Sequence, residues 1–330
     1  PRTDRAAVDN PDACGRAPRA APEMGDAGPV DITGRTFLTR AQLAAAGVGD
    51  QEIRTARGRG SLVRVGRGVY SDAAAYADTS ERGRHLLAVR GVVAARTNAV
   101  VSHTSAAILH DLRMWNPDLS RVHLSIDAAR GGRRTARVHT HTNRLTGCLT
   151  QVRGLTATTV AKTAVDLARE LPFEAGVCVV DSALAVASRA DVDAALDACT
   201  GMSGCSAARR IVAFADGRSE SIGESRTRVY LQRYGFPPFE LQVTLRHGAF
   251  VCRPDFLLDG VIVEFDGRMK YTSEQVLFEE KKRHDELMSL GWTVARLTWA
   301  DLASDAGAVK VRRAMALAKG RPPPLTHRVP

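Results

Sequence analysis

A chain of 330 residues is long enough for two or three domains with cores of their own, and its hydrophobic fraction of 44% is ordinary for a soluble globular protein. No run approaches the ~18 apolar residues that a membrane span requires, and six cysteines without a CxxC pair or a zinc-type Cys/His spacing are typical of reduced thiols in a cytoplasmic protein. The formal net charge of +10 indicates a polyanionic partner, either nucleic acid or an acidic membrane surface.

Residues 1–30 are rich in Pro, Ala, Gly, Asp and Arg and have no hydrophobic periodicity, which predicts a disordered leader. Residues 31–78 have a different pattern. Thr39 is a suitable N-cap for a helix over 40–46, and Gly49 precedes a second helix that continues to about residue 57. An alternating strand over 62–65 and a glycine-flanked turn follow. Helix, tight turn, helix and hairpin in this order predict a winged helix-turn-helix domain.

Seven arginines and only three acids lie between residues 31 and 70. Each arginine alone fits a solvated basic surface, but the set favours contacts with DNA phosphates from a recognition helix and a wing. The candidate DNA-binding residues are Arg40, Arg54, Arg57, Arg64 and Arg67. The stretch LTRAQLAAAGVGDQEIRTARGRGSLVRVGRGVY resembles the N-terminal domain of abortive-infection (AbiEi-like) type IV antitoxins. This resemblance implies a DNA-binding module used for autoregulation and adds a cognate toxin as a second partner.

The pattern of residues 79–157 predicts an α+β region. Its order of elements resembles the middle region of the same antitoxins, less specifically than the N-terminal stretch does. We expect a helix over 81–95 and a second helix that follows residues 100–103 and ends at residue 112. We expect strands over 122–126, 138–142 and 152–155. His139 and His141 alternate along one strand. Without a third ligand nearby in the sequence, they are interpreted as a polar strand face and not as a metal site. Residues 158–217 are helical and alanine-rich, which predicts a helical connector.

Residues 218–320 contain two apolar runs that are separated by Asp259-Gly260. An Asp-Gly pair in this setting is a strong signal for a two-residue hairpin turn. Counting outward from the turn places Asp255 opposite Glu264, with Cβ atoms roughly 4.5–5.5 Å apart. Asp266 shares the face of Glu264 and has Arg253 across from it.

Carboxylates placed in this way repel one another, and a divalent cation would resolve the repulsion. Clustered oxygen ligands suit Mg²⁺ or Mn²⁺, so Asp255, Glu264 and Asp266 are the predicted metal ligands. Two alternatives remain open at this point. One of the acids is solvated, or Arg253 pairs with Asp266 at the end of the sheet.

The order of motifs over residues 220–302 resembles the PD-(D/E)XK nuclease superfamily, in its branch similar to very-short-patch repair endonucleases. A glutamate begins a helix (Glu224), Arg-Pro-Asp-Phe contains Asp255, Glu264 precedes Asp266-Gly267, and a charged helix and a last strand follow. The resemblance implies Mg²⁺-dependent phosphodiester cleavage, with Asp255 and Glu264 as ligands and Glu224 as an auxiliary acid. The usual lysine two residues after the motif glutamate is Asp266 here. Lys270 and Lys281 are the candidates that supply the missing cation.

Taken together, the sequence predicts a multi-domain α/β protein. It has an N-terminal winged helix and a C-terminal restriction-endonuclease-like mixed sheet flanked by helices, and a Pro-rich disordered tail over 321–330. The predicted function is DNA binding combined with Mg²⁺-dependent endonuclease activity, without a membrane partner. The alternative is a non-enzymatic antitoxin-like repressor with a degenerate nuclease fold, which the missing lysine favours.

Overall fold

The computed structural model describes residues 37–127, 131–267, 274–320 and 327–329. This part of the chain has a mixed α/β architecture with four sheets and helices packed against them, as predicted. None of its helices is long and apolar enough to cross a lipid bilayer. The predicted leader over 1–30 and the candidate Lys270 lie outside the described residues.

The N-terminal unit consists of short helices on a three-stranded antiparallel sheet of order β1-β3-β2. Its elements are β1 (Leu38–Thr39), α1 (Arg40–Ala45), α2 (Asp50–Gly58), β2 (Leu62–Gly66), β3 (Val69–Asp72) and α3 (Ala73–Ala77). The predicted N-caps are confirmed, because the Thr39 hydroxyl accepts the N–H of Gln42 and Gly49 precedes α2. Leu43 of α1 and Ile53 of α2 are buried against Leu62 of β2, so the two helices and the hairpin share one small core.

The middle region has a six-stranded mixed sheet of order β6-β7-β5-β4-β9-β8. Its elements are α4 (Glu81–Val93), β4 (Val100–Val101), α5 (His103–Leu109), β5 (Val122–Asp127), β6 (Arg133–Arg134), β7 (Val138–Asn143), β8 (Leu149–Val152) and β9 (Leu155–Thr158). One predicted strand, over 152–155, is wrong. Arg153 and Gly154 have φ values of 52° and 76° and form the turn between β8 and β9. Their positive φ suits a two-residue hairpin turn, and the apolar residues flank it.

The segment predicted as helical contains four helices: α6 (Val160–Glu170), α7 (Phe173–Leu184), α8 (Arg189–Ala198) and α9 (Cys205–Phe214). They share a hydrophobic core with Ile108 of α5, which joins the bundle to the middle region.

The C-terminal unit begins with α10 (Ile222–Arg233), which is held tightly to the bundle. Arg228 of α10 makes a fully buried ion pair with Asp181 of α7, at 2.9 Å. Arg226 lies over the ring of Trp115, 3.9 Å from its centroid, and donates to Glu174 at 2.6 Å. Buried charges paired in this way fix the position of α10 relative to the bundle.

The C-terminal unit contains a four-stranded mixed sheet of order β10-β13-β14-β15. Its further elements are β10 (Glu240–Leu241), β11 (Thr244–His247), β12 (Phe250–Cys252), β13 (Phe256–Leu258), β14 (Val261–Phe265), α11 (Glu274–Ser289), β15 (Thr293–Leu297), α12 (Trp299–Leu302) and α13 (Ala306–Ala318). Among the described strands of this sheet, β14 and β15 are the parallel pair, and α11 lies between them in the chain. Helices α10 and α13 pack on one face of the sheet, and α11 packs on the other.

A small second sheet of order β12-β11-β16 contains the last described segment of the chain. The prediction of a disordered tail over 321–330 is wrong for β16 (His327–Val329), which pairs with β11. The physical reason is that these three residues follow the prolines and have N–H groups that can complete the ladder of an edge strand.

Candidate functional site

The predicted hairpin turn at the centre of the C-terminal sheet is confirmed. Asp259 and Gly260 have φ values of 42° and 77°, and Leu258 pairs with Val261 across the turn. Phe256 and Val263 form the last pair of the ladder. Asp255 and Glu264 directly adjoin this last pair, and Glu264 lies on the face of the sheet that α11 covers, where it contacts Arg283.

Asp255 lies in an environment that is unusual for a carboxylate. Burial raises the pKa of Asp255 to about 7, and the nearby charges of Glu224 and Glu264 act in the same direction. A hydrogen bond from the N–H of Phe265 to Oδ2, at 2.8 Å, opposes the shift without cancelling it. Asp255 therefore binds a proton near neutral pH unless another cation replaces it.

Glu264 is buried, with 8% of its surface exposed, and two arginines balance its charge. Arg283 of α11 donates to Oε1 at 2.9 Å, and Arg296 of β15 lies 3.5 Å from Oε2. The basic groups described beside this acid are thus arginines, whereas Lys281 of α11 is exposed to solvent. Sequence reasoning missed Arg296, which the parallel register of β14 and β15 pairs with Glu264.

Glu224 lies in the first turn of α10, which Ser221 caps. Its Oε2 accepts the N–H of Glu220 at 2.8 Å and the side-chain amide of Gln242 at 2.9 Å. The helix comes close to β14 because Gly223 has no side chain, and a Cβ at this position would lie 2.0 Å from the ring of Phe265. A glycine before Glu224 thus allows the helix to bring this acid close to Asp255.

The predicted alternative of an ion pair between Arg253 and Asp266 is wrong, because Arg253 pairs with Glu220 at 2.6 Å. The backbone N–H of Asp266 donates to Leu297 at 2.8 Å, which fixes the chain just beyond β14. Asp255, Glu264 and Asp266 are not among the described groups whose ligand atoms all lie within 4.8 Å of one another. Their donors are all oxygens, which fits Mg²⁺ or Mn²⁺, and Asp255 supplies the uncompensated charge. The set therefore fits such an ion in chemistry, and metal binding here stays a prediction.

The five candidate DNA-binding arginines of the N-terminal unit fall into two groups. Arg40 is bonded to Asp50 at 2.6 Å, and this hydrogen bond raises the pKa of its guanidinium. Arg54 and Arg57 are exposed on α2, and Arg64 and Arg67 are exposed on β2 and the turn after it. Four cationic side chains are thus available to a ligand, and the fifth is engaged with the start of α2.

A histidine cluster in the middle region was missed by sequence reasoning. The expectation that His139 and His141 have no third ligand nearby is wrong, because β5 pairs with β7 and brings His123 beside His139. Two groups of described side chains have ligand atoms within 4.8 Å of one another: His123, His139 and His141, and His103, His141 and Glu170. The signal was present in two short strands, VHLS and VHTH, but it depended on their register.

Comparison with known proteins supports a regulatory role for the N-terminal unit. Residues 34–71 match the family described as "Transcriptional regulator, AbiEi antitoxin". This unit is therefore an AbiEi-type antitoxin regulator domain, as its sequence pattern predicts.

The similarity to two curated relatives extends over most of the chain. Over 275 residues this chain is 30% identical to two uncharacterized proteins of Mycobacterium tuberculosis, MT2308 (strain CDC 1551 / Oshkosh) and Rv2248 (strain ATCC 25618 / H37Rv). Each alignment covers 79% of this chain and 94% of the relative. The crystal structure of the RV2827C protein from M. tuberculosis is similar at 18% identity and a TM-score of 0.37, over 59% of this chain and 75% of that one.

Proposed function

We propose that this chain, which belongs to the family of the M. tuberculosis proteins MT2308 and Rv2248, is a DNA-binding transcriptional regulator of the AbiEi antitoxin type. The observation that carries the proposal is the family match over residues 34–71, the same stretch that contains the exposed arginines. The antitoxin description also extends the proposal to a toxin as a protein partner.

The proposed mode of binding is that of a winged helix-turn-helix domain. Helix α2 enters the major groove, and the turn between β2 and β3 contacts the backbone as a wing. Arg54 and Arg57 on the helix and Arg64 and Arg67 near the wing neutralise phosphates and fix the register. Arg40 is the remaining candidate, and its bond to Asp50 gives it a second role in positioning the start of α2.

The experiment is selection of genomic fragments by the full chain in EDTA, followed by nuclease footprinting of the enriched DNA. A regulator protects a discrete site, and the double variant Arg54→Ala/Arg57→Ala protects none. Arg313→Ala is the matched control, because it removes an exposed arginine of α13, far along the chain from the regulator domain. The absence of any protected site with the unaltered chain would overturn the proposal.

A second candidate function is metal-dependent hydrolysis of phosphodiester bonds in the C-terminal unit. The observation that favours it is the convergence of Asp255, Glu264 and Glu224 from three elements, with the pKa of Asp255 raised to about 7. Perturbed carboxyl groups of this kind concentrate at functional sites, because folding alone does not favour them. The flanked mixed sheet suits the PD-(D/E)XK interpretation of the motif order.

In this mechanism Asp255 and Glu264 would hold Mg²⁺ or Mn²⁺, with Asp266 as a further ligand and Glu224 as an auxiliary acid. The ion would lower the pKa of a bound water and stabilise charge on the phosphate. Arg283 and Arg296 are the described cations next to Glu264, and they would hold a phosphate by charge. A guanidinium does not release its proton in proteins, so proton transfer falls to Lys281 or Lys270.

The test is nicking of supercoiled plasmid by the purified chain with Mg²⁺ or Mn²⁺. We expect nicking that Asp255→Asn and Glu264→Gln abolish and that Asp259→Asn, a change in the exposed turn, preserves. Nicking that survives both site variants would come from a contaminant and contradict the assignment. Intact operator binding without any cleavage would favour the non-enzymatic regulator.

A further inference from the structure

Three histidines of the middle region come together on one face of the sheet because of strand register. Strands β5 and β7 are parallel and pair His123 with His139, and alternation puts His139 and His141 on the same face. Nδ1 of His123 lies 2.9 Å from Nε2 of His141, and one ring nitrogen from each of the three lies within 4.8 Å of the others. With His103, four of the nine histidines of the chain meet at this place.

Glu170, at the C-terminal end of α6, determines which nitrogen of His141 faces this group. Its Oε1 lies 3.2 Å from Nδ1 of His141 and 3.5 Å from Nε2 of His103. A carboxylate that accepts the Nδ1–H of His141 leaves the lone pair on Nε2, which points at His123. The same arrangement of a carboxylate behind a histidine orients metal ligands in many proteins.

His103 supports His141 from the other side. The two rings stack with centroids 3.6 Å apart and planes 13° apart. His103 begins α5 with a φ of 48°, a left-handed conformation that strains a non-glycine residue. A strained backbone that places a ring against a histidine cluster is typical of functional sites, where the surrounding structure maintains the strain.

Burial lowers the pKa values of His123, His139 and His141, which favours the neutral form in which an imidazole can bind a metal ion.

The cluster is also open to the outside. His123, His139 and Glu170 line a cavity of about 230 Å³ whose other walls include Trp115, Arg121 and Arg134. His123 and His139 are half-buried, whereas His141 is buried behind them. An ion can therefore reach the ring nitrogens without unfolding the sheet, and a fourth ligand has room in the cavity.

We infer that His123, His139 and His141 form a binding site for one divalent transition metal of the zinc type, with Glu170 as a positioning residue and the fourth position open to the cavity. Three imidazoles and an open position are typical of zinc sites that hold a water or substrate. Imidazole favours zinc and similar ions over Mg²⁺, so this site binds a different metal from the acidic site of the C-terminal unit. The inference does not depend on the proposed function.

The test is isothermal titration of the tag-free, EDTA-stripped and desalted full chain with Zn²⁺ alone. We expect one equivalent of Zn²⁺, and an affinity that Glu170→Gln weakens by about 10–100-fold, as loss of an outer-shell partner does. His139→Ala removes a ligand from a half-buried position and weakens binding further. His247→Ala, at an exposed histidine of β11, is the matched control and leaves it unchanged.

Cobalt provides a second readout that a purely structural role for the histidines does not produce. Bound Co²⁺ in the unaltered chain gives intense visible bands of four-coordinate metal, and His139→Ala loses them. The inference is overturned if the unaltered chain binds Zn²⁺ no more tightly than His139→Ala does. It is also overturned if Glu264→Gln abolishes Zn²⁺ binding while His139→Ala and Glu170→Gln leave it intact.

Discussion

Replacement of Asp255 by asparagine is expected to stabilise the protein above neutral pH. The folded chain raises the pKa of this carboxyl group from its ordinary value of 3.8 to about 7, with burial as the largest cause. At about 1.4 kcal/mol per pKa unit, the charged form therefore costs the folded state about 4 kcal/mol. The asparagine Oδ1 still accepts the N–H of Phe265, so the change removes the charge and retains the hydrogen bond.

The sign of the pH dependence follows from the direction of the shift. Between pH 4 and pH 7 the folded chain holds a proton on Asp255 that the unfolded chain has released, so stability falls as pH rises through this window. Above pH 7 both states are ionised and the full penalty is present. Asp255→Asn is therefore about 4 kcal/mol more stable than the unaltered chain at pH 8, and about equal to it at pH 4.

The assay is denaturant unfolding in EDTA at pH 4, 6 and 8, followed by tryptophan fluorescence, to which Trp292 and Trp299 of the C-terminal unit contribute two of the three tryptophans. Asp259→Asn is the matched control, since asparagine fits its turn conformation equally well. In a parallel series at pH 8 without EDTA, added Mn²⁺ stabilises the unaltered chain and not Asp255→Asn, if the acid holds a metal. Equal stability of Asp255→Asn and the unaltered chain at pH 8 would refute the reasoning.

Two further changes test buried features. Lys162 is fully buried and pairs with Asp166 at 2.5 Å, so Lys162→Ala lowers the free energy of unfolding by about 3–5 kcal/mol. Lys310 is half-exposed in its pair with Asp301, so Lys310→Ala lowers the free energy of unfolding by at most about 1 kcal/mol. Equal losses for the two variants in denaturant titrations would contradict this. Gly223→Ala places a Cβ against the ring of Phe265, and we expect it to destabilise the C-terminal unit by about 1–3 kcal/mol in the same assay. An unchanged denaturation midpoint would contradict this and show that the ring can move aside.

Local signals allowed the central hairpin to be predicted from sequence. The Asp259-Gly260 turn fixes its own register, and the ladder ends at Phe256 and Val263, which directly adjoin Asp255 and Glu264. The same holds for the caps at Thr39 and Gly49, because a capping residue acts on its own helix. Such features depend on a few neighbouring residues and are readable without the rest of the fold.

Features that depend on distant pairing were not predicted. The arginines beside Glu264 come from α11 and β15, and their contact depends on a parallel crossover. The histidine cluster depends on the pairing of β5 with β7 and on the packing of α6, which brings Glu170 from a segment interpreted only as a helical connector. The buried Lys162 was missed for the same reason, since its partner Asn143 lies in another element.

DNA binding by the N-terminal arginines is tested most directly by the salt dependence of affinity for duplex DNA, measured by fluorescence anisotropy in EDTA. Each lost phosphate contact lowers the slope of log affinity against log salt by about 0.9. The account predicts that Arg54→Ala/Arg64→Ala weakens binding and flattens this slope by about 1.8, whereas Arg313→Ala changes neither. Affinity and slope unchanged in the double variant would contradict it.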